Sequence, residues 1–158
     1  MPNPRGGLSL FQMIDLPPVW LLAFLGLGKA QATYFAMGPL PGGVIGLLAA
    51  VLIGGGVILI LLAVMEFRRN STTIVPHREA EALIVSGIFK RTRNPIYLAD
   101  LMLLAGFLIH WGAWLSLALV PILMWVLERR FIIPEENRLR RKFRAAYAKY
   151  EQKTRRWV

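Results

Sequence analysis

Two short stretches hold the residue types that bind charged ligands. "KRTRNPIYLAD", residues 90–100, sets Lys90, Arg91 and Arg93 ahead of Asn94-Pro95; Tyr97 follows, and then an acid, Asp100, inside an apolar run. "PEENRL", residues 134–139, sets Pro134 ahead of two adjacent carboxylates, Glu135 and Glu136, in an otherwise cationic tail. Asn is a favoured N-cap and Pro a favoured first helical residue, so each stretch reads as a helix start. That accounts for Asn94-Pro95 by itself, with Arg93 on a lipid phosphate and Tyr97 as an interfacial aromatic. It also accounts for the acids, which the helix dipole favours in a first turn. A second meaning appears if the two starts meet. Helix-start N–H groups and an arginine hold a carboxylate. A carboxylate accepts the hydroxyls of a ribose or an ammonium, and an aromatic ring stacks on a base or faces a cation. S-adenosylmethionine has all of these parts, though spacing alone does not single it out.

Such a meeting depends on the apolar elements around it. Four apolar stretches can be drawn, at about 16–37, 41–67, 95–109 and 114–127. A bilayer core of ~30 Å needs ~20 helical residues, which the first two supply. The last two are short and separated only by "HWGAW", so they are expected to form a tight helical hairpin. That hairpin returns "PEENRL" to the membrane face where Arg93 to Tyr97 lie. Gly54-Gly55-Gly56 in the second stretch allows either close helix packing or a break beside a ligand, with packing the expectation. Pro121 predicts a kink in the fourth. After Pro134, Leu139, Phe143, Tyr147 and Tyr150 recur at helical spacing with cations between them, the pattern of an amphipathic helix on a membrane surface or over the ends of the spans.

Charge sets the orientation. The 158 residues have a net charge of +10, 56% apolar residues and a mean hydropathy of +0.50. The cations fall mainly between the second and third stretches and in the tail, while "GPLPG" and "HWGAW" have none. Basic blocks beside long apolar runs mark cytoplasmic membrane flanks, so both termini are expected in the cytoplasm and nucleic acid is not the expected partner. There is no cysteine, and His77 and His110 alone do not make a zinc site, so no metal is expected. Lys29 sits deep in the first stretch and either faces a cavity or snorkels to an interface. Asp100 either pairs with Lys29 or a loop arginine, or lines an acceptor path.

From "TTIVPHREAEALIVSGIFKRTRNPIYLAD", through the hairpin, to "PEENRLRRKFRAAYAKYEQKTRRWV", the sequence resembles the isoprenylcysteine carboxyl methyltransferase family. It looks most like that family's short bacterial members, which are also similar to phospholipid methyltransferases. The family pattern is Arg-His/Asn-Pro-x-Tyr, a helical hairpin, Glu-Glu-x-x-Leu, then aromatics leading to a basic end. The resemblance covers about residues 71–158 and is specific as an ordered set. Two positions depart from it: Ala99 and Arg144 stand where members often have Gly.

The resemblance implies an all-α integral-membrane bundle of about four transmembrane helices with a C-terminal amphipathic cytoplasmic helix, in a bacterial inner membrane. One methyltransferase domain would span 1–158: two N-terminal spans (1–67), a cytoplasmic loop (68–94), the hairpin (95–128) and the amphipathic tail (129–158). It implies S-adenosylmethionine as cofactor, bound by Arg93, Asn94, Pro95, Tyr97, Glu135 and Glu136. The acceptor would be lipidic or small and apolar, with membrane lipids as partners. Methyl transfer from a sulfonium needs alignment and exclusion of water, and its leaving group needs no acid. His77 is the candidate catalytic residue, as a proton acceptor or acceptor contact, against the simpler account of an exposed loop histidine. The alternatives are a phospholipid N-methyltransferase-like enzyme or a non-enzymatic scaffold whose basic tail binds anionic lipid.

Overall fold

The computed structural model describes residues 16–35, 37, 42–70 and 82–158. Five α-helices run along these residues: α1 (Pro17–Tyr34), α2 (Gly43–Arg69), α3 (Pro95–His110), α4 (Leu119–Leu127) and α5 (Ile133–Lys153). Short 3₁₀ turns at Gly87–Lys90 and Leu115–Ala118 precede α3 and α4, and a π-turn, Glu128–Ile132, joins α4 to α5. No strand occurs among the described residues. The four apolar stretches thus become α1, α2, α3 and the run Leu115–Leu127. His77 lies outside the described residues.

Among the described residues, α2 is the one helix long and apolar enough to cross a membrane. Its 27 residues span about 40 Å at 1.5 Å each. The 18 residues of α1 and the 16 of α3 reach about 27 and 24 Å. Much of the outer face is apolar: Leu22 on α1, Val44 and Leu61 on α2, and Ile122 and Trp125 on α4 are all exposed. An apolar surface this extensive suits lipid rather than water.

Glycines set the close approach of α2 and α3. A Cβ at Gly56 would stand 2.9 Å from Leu103 Cγ and 3.1 Å from the Ala99 carbonyl oxygen. One at Gly106 would stand 3.1 Å from the Ala49 carbonyl oxygen. The packing role expected of Gly54-Gly55-Gly56 therefore holds at Gly55, beside Met102, and at Gly56, while Gly54 faces open space and α2 is unbroken. The Ala99 methyl is fully buried, and it is Gly56 that lets its carbonyl come so near. On its other side α3 packs through Tyr97, Leu104 and Leu108 against Phe24 of α1, Leu123 and Leu127 of α4, and Phe131.

Pro121 falls in the first turn of α4, directly after the 3₁₀ turn Leu115–Ala118, so the helix changes its geometry beside it. The larger departure is the π-turn, just before Pro134, whose ring cannot donate to the Arg130 carbonyl. The tail, expected as one amphipathic helix, is bent. Arg144 has φ 42° and ψ −112°, and the chain doubles back there. The guanidinium of Arg140 consequently makes two hydrogen bonds, 2.7 and 3.0 Å, to Glu151. A straight helix would separate residues 140 and 151 by about 16 Å. The aromatic stripe still faces inward, with Tyr147 and Tyr150 buried.

Lys29 does not meet Asp100. It is exposed, with Nζ 5.1 Å from the centre of the Trp111 ring. Close by, Gln31 Oε1 accepts hydrogen bonds from Ser116 N–H and Oγ–H (3.3 and 3.2 Å), tying α1 to the hairpin turn.

Candidate functional site

Asn94 and Pro95 open α3 as expected, with Asn94 at the cap position and Pro95 at the start. The Asn94 side chain does not cap the helix, however. Its Nδ2–H donates 3.1 Å to the Arg156 carbonyl. The first-turn N–H groups of Ile96 and Tyr97 are thus left without a side-chain cap, at the end of the helix that carries partial positive charge.

The C-terminal segment is stitched across this helix start. Arg93 N–H donates to the Arg155 carbonyl (3.0 Å), and Thr92 Oγ–H to that of Arg156 (3.1 Å). Tyr150 O–H donates to the Phe89 carbonyl (2.7 Å), anchoring the second half of α5 on the turn before α3. Burial pushes the Tyr150 phenol well up, so it is a neutral donor. These contacts hold the two motif halves together although about 40 residues of chain separate them.

The side chains then form one charged cluster. Arg93 Nη1 lies 3.4 Å from Glu136 and 3.9 Å from Glu151, and donates 3.2 Å to the Tyr147 hydroxyl oxygen. Arg156 grips the Glu136 carboxylate at both oxygens (3.1 and 2.8 Å) and also bonds Glu128. Burial, then the Glu136 charge, push the Tyr147 phenol up. Tyr97 O–H donates 3.1 Å to Glu135, and its ring stacks on Phe131 at 6.4 Å. The two acids therefore differ in role. Glu136 is buried and saturated by guanidinium groups, whereas Glu135 is exposed at the end of the Tyr97 side chain.

All six residues expected at the site, Arg93, Asn94, Pro95, Tyr97, Glu135 and Glu136, come together at one end of the bundle. The second stretch is not a free helix start, though. Its helix continues from α4 through the π-turn, so no set of uncapped N–H groups faces the acids. What holds Glu136 is its ion pairs with Arg93, Arg156 and, at 3.8 Å, Arg140. Arg156, Glu128, Glu151 and Thr92 were not foreseen. Arg156 is one of eleven cations between 129 and 156, and no local pattern distinguishes it from its neighbours.

The residues present suit the parts of S-adenosylmethionine. Arg93 Nε is buried and has no hydrogen-bond partner among the described residues, so a donor remains for a ligand carboxylate beside the uncapped N–H groups of α3. Glu135, at the exposed edge, is the acceptor a ribose diol needs. No cluster of metal-ligating side chains occurs among the described residues.

A search of curated proteins found no match, and neither did a search of solved structures. The family model for phospholipid methyltransferase matches residues 44–146, a stretch that includes α2, the hairpin, both motif halves and most of the first part of α5. The chain therefore belongs to the phospholipid methyltransferase family and is, by that membership, a membrane methyltransferase.

Proposed function

We propose that the protein is an S-adenosylmethionine-dependent methyltransferase of the isoprenylcysteine carboxyl methyltransferase type, acting on a lipidic or small apolar acceptor. The observation that supports it most is the convergence of Arg93, Tyr97, Glu135 and Glu136 around a buried Arg93 Nε with no partner. Arg93 and the α3 N–H groups hold the ligand carboxylate, Glu135 holds the ribose and Tyr97 orients Glu135. Glu136 acts through Arg93, which it keeps aimed at the site. The bound cofactor supplies an electrophilic methyl group on sulfonium. The chain supplies alignment, exclusion of water by the strapped tail, and a boundary at which an apolar acceptor enters from the lipid side.

In this reading the bundle crosses the inner membrane of a bacterium four times, with both termini and the site on the cytoplasmic side and lipid as its surroundings. The placement of the basic residues and the exposed apolar belt support it. Phospholipid N-methylation is the second reading, favoured by the family match.

Calorimetry on detergent-purified protein tests the site. Wild type is expected to bind S-adenosylmethionine, and Arg93→Ala and Glu136→Ala to lose it. Unchanged affinity in both variants refutes the assignment.

A further inference from the structure

Three carboxylates are buried among the described residues: Glu66, Asp100 and Glu136. Two have partners that match their charge. Glu66 accepts from Ser86 and, at 3.2 Å, from Arg69. Glu136 is held by Arg93 and Arg156. Asp100 is 5% exposed, and its Oδ2 has no hydrogen-bond partner among the described residues. No ion pair to Asp100 is present among the described residues, and Lys29, which the sequence offered as a partner, lies over Trp111 instead. Buried polar atoms are rarely left unpaired, and an acid in an apolar helix is costly enough that it marks a ligand path by default.

Its position says which ligand. Asp100 lies three residues after Tyr97, on the same face of α3. Among the described residues, the other buried side-chain atom without a partner is Arg93 Nε, seven residues earlier. The two bracket Tyr97, a donor on the charged side and an acceptor on the apolar side. Inline displacement requires the acceptor to approach opposite the leaving sulfur. With the cofactor's polar groups held at Arg93 and Glu135, the acceptor comes from the apolar side, where Asp100 is.

We propose that Asp100 is the acceptor-side residue of this site: its Oδ2 receives an N–H of a lipid amine. This rests on the reading of Arg93 to Glu136 as the cofactor site, and it favours the amine acceptor of the second reading, phospholipid N-methylation, over a carboxylate acceptor. A carboxylate or thiolate acceptor would face a like charge in a medium that screens it poorly, whereas an ammonium cancels the charge. The proton inventory also fits. The entering ammonium gives one proton to Asp100 Oδ2. The freed nitrogen lone pair forms the N–C bond as the S–C bond breaks, and that bonding pair stays on sulfur as a neutral thioether. The methylated product leaves as an ammonium, and the proton on Asp100 passes to water.

The test uses the full chain in detergent micelles, with phosphatidylethanolamine as the amine probe and a prenylated N-acetylcysteine as the carboxylate probe. Binding of each probe is measured without cofactor by native mass spectrometry, methyl transfer by tritium incorporation, and S-adenosylmethionine affinity by calorimetry. Wild type is expected to bind and methylate the amine in preference to the carboxylate. Asp100→Asn keeps the shape and replaces an unpaired buried acid with a neutral group, so it should fold. It is expected to weaken amine binding at least tenfold and transfer at least a hundredfold, with cofactor affinity within threefold of wild type. Asp100→Glu is expected to retain part of the amine binding. Three results overturn the proposal while leaving the cofactor site standing: equal amine binding in Asp100→Asn, transfer by wild type to the carboxylate alone, or transfer to neither probe. Parallel loss of amine and cofactor binding in Asp100→Asn makes the residue structural and also overturns it. A wild type that binds no S-adenosylmethionine overturns the cofactor reading itself.

Discussion

Replacing Arg144 with glycine should make the protein more stable. Arg144 is the one non-glycine residue with positive φ among the described residues, and its pair of angles, 42° and −112°, belongs to a region used almost entirely by glycine. The strain of holding an L-residue there is about 1–3 kcal/mol. Glycine removes it but frees the unfolded chain, which costs about 0.5–1 kcal/mol. The Arg144 side chain is exposed, so little packing is lost. The net gain is about 0–2.5 kcal/mol, or up to roughly 10 °C in Tm for a chain of this length. Thermal unfolding in detergent, followed by tryptophan fluorescence, reads it directly. Arg144→Ala is the necessary companion: it removes the same side chain but keeps the Cβ and hence the strain, and should stay within about 0.5 kcal/mol of wild type. A Tm for Arg144→Gly no higher than that of Arg144→Ala would refute the reasoning. The Arg140–Glu151 contact depends on this bend, so the glycine variant should also keep the second half of α5 protected in hydrogen exchange.

The glycines of α2 should divide sharply. Gly54→Ala, facing open space in mid-helix, should stabilise by about 0.5–1 kcal/mol, whereas Gly56→Val, pressed against Leu103 and the Ala99 carbonyl, should destabilise by at least about 1–3 kcal/mol, both read as Tm. The tail should loosen in acid. Hydrogen bonds from Arg140 hold the Glu151 carboxyl below its ordinary 4.5, so its contribution is fully present above that value and is lost as pH falls through the lower folded value. Protease resistance of residues 145–153 should be flat above the ordinary 4.5 and decline only as pH falls below it, with Glu151→Gln abolishing that decline.

Much of the architecture was legible because hydropathy and charge are local properties. The four apolar stretches became helices with nearly the expected bounds, and Asn94-Pro95 lie where helix-start chemistry puts them, whereas Pro134 follows a π-turn in a helix that continues from α4. The close packing at Gly55 and Gly56 followed from side-chain size. The resemblance in sequence also implied glycine at the Arg144 position, yet the meaning of that departure was not visible. An amphipathic stripe is the same in a straight and a bent helix, so periodicity could not disclose that the chain turns back there.

The composition of the site was likewise present in the sequence, while its wiring was not. Residue types and order name Arg93, Tyr97, Glu135 and Glu136 as a set. Which acid is buried and which is exposed depends on the π-turn and on the return of the C-terminal segment to Thr92 and Arg93. Those contacts join residues about 60 apart in the chain, and a backbone carbonyl such as that of Arg155 or Arg156 has no sequence signature at all. Arg156 is ordinary in one dimension and holds a buried carboxylate in three. Asp100 is the reverse case. The sequence alone shows an acid in an apolar helix, but only packing decides whether a partner meets it, because counter-ions arrive from other helices. Among the described residues none reaches its Oδ2, and that turns an oddity of composition into a candidate acceptor site.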